Sequence, residues 1–256
     1  MTIEPQPPTS LPDSAIDHTH ALSYWNSVSS DNNGMLGGYP HVSLVDLKSS
    51  SIFLAKLRRG KQRAVKQTLP PLERVADCGA GIGRITKGLL MQVARRVDVV
   101  EPVEKFTDEL VREMEGSADK EGVGGRIGEV VNLGLQDWVP EMGAYDLIWN
   151  QWCLGHLTDA QLVLYLRRCK DGLRKSSAVD GGGYSEKGGW IVVKENLSSD
   201  VKKRDLYDEE DSSVTRQDEK FKKVFKEAGL KIVASELQRG FPKELYAVRT
   251  YALQPE

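Results

Sequence analysis

One run, Asp77-Cys78-Gly79-Ala80-Gly81-Ile82-Gly83-Arg84, constrains this chain more than any other. Glycines at alternate positions follow a short apolar stretch and precede a segment of helical spacing, so the run reads as a tight turn from a buried strand into a helix. Such a turn lets a ligand approach the backbone at the helix N-terminus. It commits the surrounding chain to an α/β arrangement.

The rest of the chain agrees. After Pro70-Pro71 the pattern predicts strands over 74–78, 97–100, 129–133, 146–149 and 190–194, with helices over 84–95, 104–114 and 159–174 between them. A helix over 221–228 then leads to strands over 231–237 and 245–251, separated by Arg239-Gly240-Phe241-Pro242. The expected fold is therefore a mainly parallel seven-stranded sheet with helices on both faces, closed by an antiparallel C-terminal hairpin. Upstream, helices are expected over 21–28, which carries Tyr24 and Trp25, and over 42–57, with a turn at Asp31-Asn32-Asn33-Gly34 between them. These form an N-terminal helical cap. Residues 1–20, with Pro5, Pro7, Pro8 and Pro12 among polar neighbours, read as a disordered tail. The domain division is a tail over 1–20 and one domain over 21–256, made of a helical extension over 21–70 and a core over 71–256. The Ser- and Gly-rich stretch 176–189 reads as an exposed loop insertion.

Charge limits what such a domain can bind. Thirty-five basic against 37 acidic residues give a net charge of -2, so nothing favours a general nucleic-acid or membrane-surface binder. Three scattered cysteines, Cys78, Cys153 and Cys169, make neither a disulfide framework nor a zinc site, and point to a reducing compartment, cytosolic or nuclear. No metal is expected.

The loop itself narrows the ligand. Arg84 occupies the position of the third glycine of the dinucleotide fingerprint, which disfavours a pyrophosphate-bearing cofactor. Glu101, at the end of the next strand, is placed to accept hydrogen bonds from ribose hydroxyls. Together they favour S-adenosylmethionine over NAD. A glycine-rich turn that merely packs is the competing reading, and Arg84 is as readily a surface helix-start residue as a partner for the methionyl carboxylate.

The chain also resembles a known family, the alpha-N-terminal protein methyltransferases that modify proteins beginning X-Pro-Lys, with fungal members nearest in appearance. Besides the glycine loop, the segments that carry the resemblance are Tyr24-Trp25, Gly34-Met35-Leu36-Gly37-Gly38-Tyr39, Gly134-Leu135-Gln136-Asp137, Gln151-Trp152, Gly155-His156-Leu157-Thr158-Asp159, Lys194-Glu195-Asn196, Asp211-Ser212-Ser213-Val214-Thr215-Arg216 and Leu245-Tyr246. They span the chain from about residue 21 onward. Glu101 and Glu195 stand where aspartate is common, and 176–189 and 199–204 look longer than usual.

The resemblance implies a Rossmann-like class I methyltransferase. It implies a cofactor pocket at Gly79, Gly81, Arg84, Glu101, Leu135, Gln136 and Gln151, with Trp25 covering S-adenosylmethionine, which leaves as S-adenosylhomocysteine. It implies a peptide groove at Leu36, Trp152, Asn196, Asp208, Asp211, Ser213 and Tyr246, with His156 beside the amine. The partners it implies are proteins with exposed X-Pro-Lys N-termini, such as ribosomal proteins, modified after loss of the initiator methionine by a monomeric, cytoplasmic or nuclear enzyme.

The chemistry fits those residue types. Methyl transfer to nitrogen needs a neutral amine, and roughly a tenth of an α-amine is neutral at pH 7 against a few ten-thousandths of a lysine. A modest base suffices, and His156 or Asp211 is a candidate, with Asn196 able to hold a peptide carbonyl. Asp205, Asp208, Glu209, Glu210 and Asp211 form an acidic run that can meet a substrate lysine, although such runs are most often solvated loops. Two other readings stay open: a small-molecule methyltransferase, which would not need the acidic run, and a non-catalytic binding protein on the same fold.

Overall fold

Parallel strands buried on both faces need uninterrupted apolar sequence, and the central strands have it. The sheet is built from β1 (Leu72–Cys78), β2 (Ala94–Val100), β3 (Arg126–Val131), β4 (Leu147–Gln151), β5 (Trp190–Leu197), β8 (Leu230–Leu237) and β9 (Ala247–Pro255), with a separate ribbon of β6 (Leu206–Asp208) and β7 (Ser213–Thr215). Strand order is β3-β2-β1-β4-β5-β9-β8, parallel through β5 and antiparallel at β9 and β8. The computed structural model describes residues 11–60, 69–116, 125–176 and 188–256. The seven-stranded, mainly parallel sheet with an antiparallel hairpin at its edge is the architecture expected above. The 176–189 insertion falls largely outside the described residues.

Alternation along each strand divides the core. Val75, Leu147, Trp149 and Val192 face Phe53 and Leu54 of α3 (Val42–Arg59) and Ile85 at the start of α4 (Arg84–Gly88). Ala76, Ile148, Ile191 and Val193 face the opposite layer, α6 (Asp159–Gly172) and α7 (Asp218–Glu227), through Leu166, Phe221 and Phe225. Leu110 of α5 (Glu104–Glu115) packs with Val99 beside the glycine loop. The helical cap comprises α1 (His18–Ser27), the short α2 (Asn32–Met35) and α3.

Four expectations change. The helix foreseen over 84–95 stops at Gly88, where a Cβ would lie 2.7 Å from Leu47 of α3; the chain then makes a 3-10 turn at Leu90–Gln92 and enters β2. The third strand covers Arg126–Val131 rather than 129–133, an edge strand with no fully buried side chain to fix its frame. The acidic run is the β6–β7 hairpin, closed by Ser212 at φ 54. Finally, order begins before residue 21. Pro12–Ala15 forms a 3-10 turn, Asp17 caps α1 by accepting from Thr19 N and His20 N, and Asp13 accepts from Asp159 N at 2.9 Å. Of the expected tail, residues 1–10 lie outside the described residues.

Candidate active site

Between β1 and β4 the strand order reverses, the place where an open α/β sheet leaves a crevice beyond its C-terminal strand ends. A cavity of about 320 Å³ lies there. The loops after β1, β2, β3 and β4 supply its walls, and His18, Ala21, Leu22 and Trp25 present one face of α1 as its cover.

The glycine loop is shaped for close approach. Gly79, Gly81 and Gly83 take φ of 65, 54 and 72, and a Cβ on Gly79 would stand 2.3 Å from Cys153 Cβ. Glu101 holds the loop from the other side. Its carboxylate accepts from Gly81 N at 2.8 Å and Val103 N at 3.0 Å, one bond to each oxygen, so each keeps a lone pair for a hydroxyl donor. Burial raises the Glu101 carboxyl to about 7. Asp77 beneath the loop is raised to about 6 for the same reason, although Thr86 Oγ1 donates to it at 2.6 Å. A ligand-sized space, a cradle that side chains would fill and an anchored acid with free lone pairs fit S-adenosylmethionine.

Arg84 and Gln151 line the cavity and meet behind it at one carboxylate, Asp46 of α3. Lys194 of β5 reaches the same group at 2.5 Å. The Arg84 guanidinium also stands 5.4 Å from the Trp152 ring centroid. Trp152 follows β4 at φ 55, a conformation that a bulky side chain adopts only when its surroundings impose it.

His156 follows in the 3-10 turn Leu154–His156. Arg216 fixes that turn: fully buried, it donates to Leu154 O, Leu157 O and the Asp159 carboxylate. Glu195 secures the preceding bend by accepting from Cys153 N and Leu154 N, and burial raises its carboxyl to about 7. Burial lowers the His156 pKa, against the opposing pull of Asp211. Trp25 Nε1 donates to His156 Nε2 at 3.1 Å. The cap also grips the hairpin, through Asp17 N to Ser212 Oγ at 2.8 Å and His20 to Glu210 O at 3.2 Å.

All the expected cofactor residues line the cavity: Gly79, Gly81, Arg84, Glu101, Leu135, Gln136, Gln151 and Trp25, with Trp152 and His156 beside them. Asp211 lies close enough to act on His156, and Ser213 packs against Gly155. Asp208 pairs with Ser213 across the hairpin. Asn196 sits in β5 opposite Val248. Leu36, Asn196, Asp208, Asp211, Ser213 and Tyr246 are outside the cavity lining, and Tyr246 is exposed. Four buried side-chain atoms among the described residues lack a hydrogen-bond partner, and three of them are Trp152 Nε1, His156 Nδ1 and Asp211 Oδ1.

Sequence reasoning missed Asp46, the charge of Lys194 and Arg216. A signal existed for the first two. Asp46 stands on the helix stripe of Val42, Ser50, Phe53 and Leu54, and Lys194 continues the apolar run 190–193, so each charge demanded a buried partner.

A family model described as AdoMet dependent proline di-methyltransferase matches residues 13–254. The "Alpha N-terminal protein methyltransferase 1" of Schizosaccharomyces pombe is 41% identical over 242 residues, 93% of this chain and 96% of that protein. The "N-terminal Xaa-Pro-Lys N-methyltransferase 1-B" of Xenopus laevis is 40% identical over 235 residues, 91% of this chain and 93% of that protein. Among solved structures, a SAM-dependent methyltransferase of Leishmania major superposes with a TM-score of 0.75 at 33% identity, over 93% of this chain and 82% of that one.

Proposed function

The chain belongs to the AdoMet-dependent proline di-methyltransferase family, and from that membership we propose that it transfers methyl groups from S-adenosylmethionine to the α-amino group of proteins beginning X-Pro-Lys, once the initiator methionine is gone. The observation that carries this reading is the pair of unpartnered buried atoms, Trp152 Nε1 on the cavity wall and Asp211 Oδ1 beside His156. Leaving such an atom unpaired costs about 1–3 kcal/mol, which a polar substrate reaching them relieves.

S-adenosylmethionine, when bound, supplies a sulfonium methyl that an amine takes by in-line displacement. Gly79, Gly81, Arg84, Glu101, Leu135, Gln136 and Gln151 hold it, and Trp25 covers it. Asp211 offers its free oxygen to the substrate ammonium and receives the proton that must leave before nitrogen can attack. His156, kept neutral by burial, has its Nε2 lone pair engaged by Trp25. It accepts a proton there only after that bond opens, which makes Asp211 the first acceptor. Asn196 holds a peptide carbonyl, the Trp152 face packs the proline ring, and Asp208 with Asp211 meets the lysine. Leu36, Ser213 and Tyr246 complete the groove.

By the same resemblance ribosomal proteins are among the substrates, and the enzyme works in a reducing compartment, the cytoplasm first, where the three free cysteines stay reduced. The same resemblance carries the proposal that it acts as a monomer. Among the described residues no helix is long and apolar enough to cross a membrane.

The test is incubation with labelled S-adenosylmethionine and hexapeptides starting Ser-Pro-Lys, Ser-Ala-Lys and acetyl-Ser-Pro-Lys. Label on the first, little on the second and none on the third is expected. Equal labelling of the acetylated peptide overturns the α-amine assignment.

A further inference from the structure

Asp46 contributes no atom to the cavity wall, yet three side chains from three other segments converge on its carboxylate. Arg84 Nη1 donates to Oδ2 at 2.6 Å. Gln151 Nε2 donates to both oxygens, at 3.0 and 2.9 Å. Lys194 Nζ lies 2.5 Å from Oδ1 and also donates to Ser50 Oγ at 2.9 Å. The Asp46 and Lys194 side chains are wholly buried.

A carboxylate so enclosed persists only because its donors are complete, and removing it would strand two cations. One negative charge against two positive ones leaves the cluster a net positive charge. Of its members only Arg84 and Gln151 reach the cavity. Arg84 is held on one side by Asp46 and faces Trp152 on another, so a flexible side chain is reduced to one pose. Its remaining N–H donors are then available to an anion in the cavity. Glu101, the acid expected at the ribose, accepts instead from Gly81 N and Val103 N and shares no hydrogen bond with this cluster.

The geometry points to Asp46 as a positioning residue for the amino-acid end of S-adenosylmethionine: from helix α3 of the cap it holds Arg84 and Gln151 in the pose that receives the cofactor's carboxylate-bearing part. The inference rests on the methyltransferase reading. It assigns to α3 a part in cofactor selection, since the adenosine part is held by groups that Asp46 does not touch.

Two ligands separate positioning from general support. S-adenosylhomocysteine carries the amino-acid end, whereas 5′-methylthioadenosine keeps the adenosine and thioether and lacks it. Calorimetric titration of the full chain should show Asp46→Asn binding S-adenosylhomocysteine about tenfold or more weakly than the parent, with 5′-methylthioadenosine affinity within about twofold of the parent, a change too small to reflect a lost hydrogen bond. A melting curve on the same samples reports folding. If Asp46→Asn does not fold, the charge-balanced pair Asp46→Asn with Lys194→Gln takes its place with the same expected selectivity. Equal weakening of both ligands, or unchanged S-adenosylhomocysteine affinity, overturns the inference. A parent chain that binds neither ligand overturns the methyltransferase reading as well, and so is distinguishable from failure of the Asp46 assignment alone.

Discussion

The indole N–H of Trp25 points at Nε2 of His156 across 3.1 Å, with the two rings nearly perpendicular at 86°. An acceptor Nε2 fixes the tautomer: the ring proton sits on Nδ1. A residue of the N-terminal cap thus determines which nitrogen of a core histidine is basic.

Trp25→Phe removes a donor that favours neutral His156. The imidazole pKa should then rise from its lowered position toward the ordinary value of about 6.5. The acid limb of the kcat profile moves to higher pH with it. A limb that stays in place while kcat changes would show that His156 ionisation does not govern turnover.

Asp211→Asn keeps the shape of the side chain and removes its charge. Turnover of a Ser-Pro-Lys peptide should fall by about 10²-fold, while S-adenosylhomocysteine binding is preserved, because Asp211 is not in the cavity lining. Calorimetry and initial rates on one preparation check both halves.

Gly79→Ala places a methyl 2.3 Å from Cys153 Cβ at a φ of 65. Left-handed backbone and overpacking each cost about 1–3 kcal/mol, so denaturant unfolding should show the sum and cofactor binding should be lost. Adding Cys153→Gly relieves the collision but not the backbone strain. The double variant should recover only part of the stability, and full recovery would locate the whole cost in the side-chain contact.

Glu195 allows a pH test. Its folded carboxyl titrates at about 7 against an ordinary 4.5, so between those values the folded chain binds the extra proton and stability falls as pH rises. Glu195→Gln keeps the acceptor oxygen for Cys153 N and Leu154 N and removes the titration. Relative to the parent, the variant should gain on the order of 2–3 kcal/mol between pH 4.5 and pH 8. Parallel stability curves would count against the burial argument.

Sequence legibility followed burial and backbone chemistry. The central strands were readable because a strand covered on both faces must be continuously apolar, as in 190–193, and the loop was readable because glycine takes the φ near 60 found at 79, 81 and 83 without steric cost. The edge strand at Arg126–Val131 lacked that constraint, and its register was missed. Helix 84–95 looked continuous because nothing local marks its end at Gly88, whose close packing on Leu47 joins segments about forty positions apart in sequence. The glycine loop and Glu101, which line the cavity, were legible as a motif with local spacing. For Asp46 and Lys194 the buried charge was legible but its partners were not, and Arg216 gave no signal, because these roles arise from partners on distant elements.

Strand β9 lies between β5 and β8, so the last segment of the sheet to be synthesised is an interior one. Val248, Tyr251, Ala252 and Leu253 are buried there. Until residue 255 has cleared the ribosome, β5 has no partner on one side and β8 none at all. Non-local pairing of this kind forms late, and an unpaired apolar strand invites association with other nascent chains. The methyltransferase core should therefore close its sheet only after synthesis of this segment.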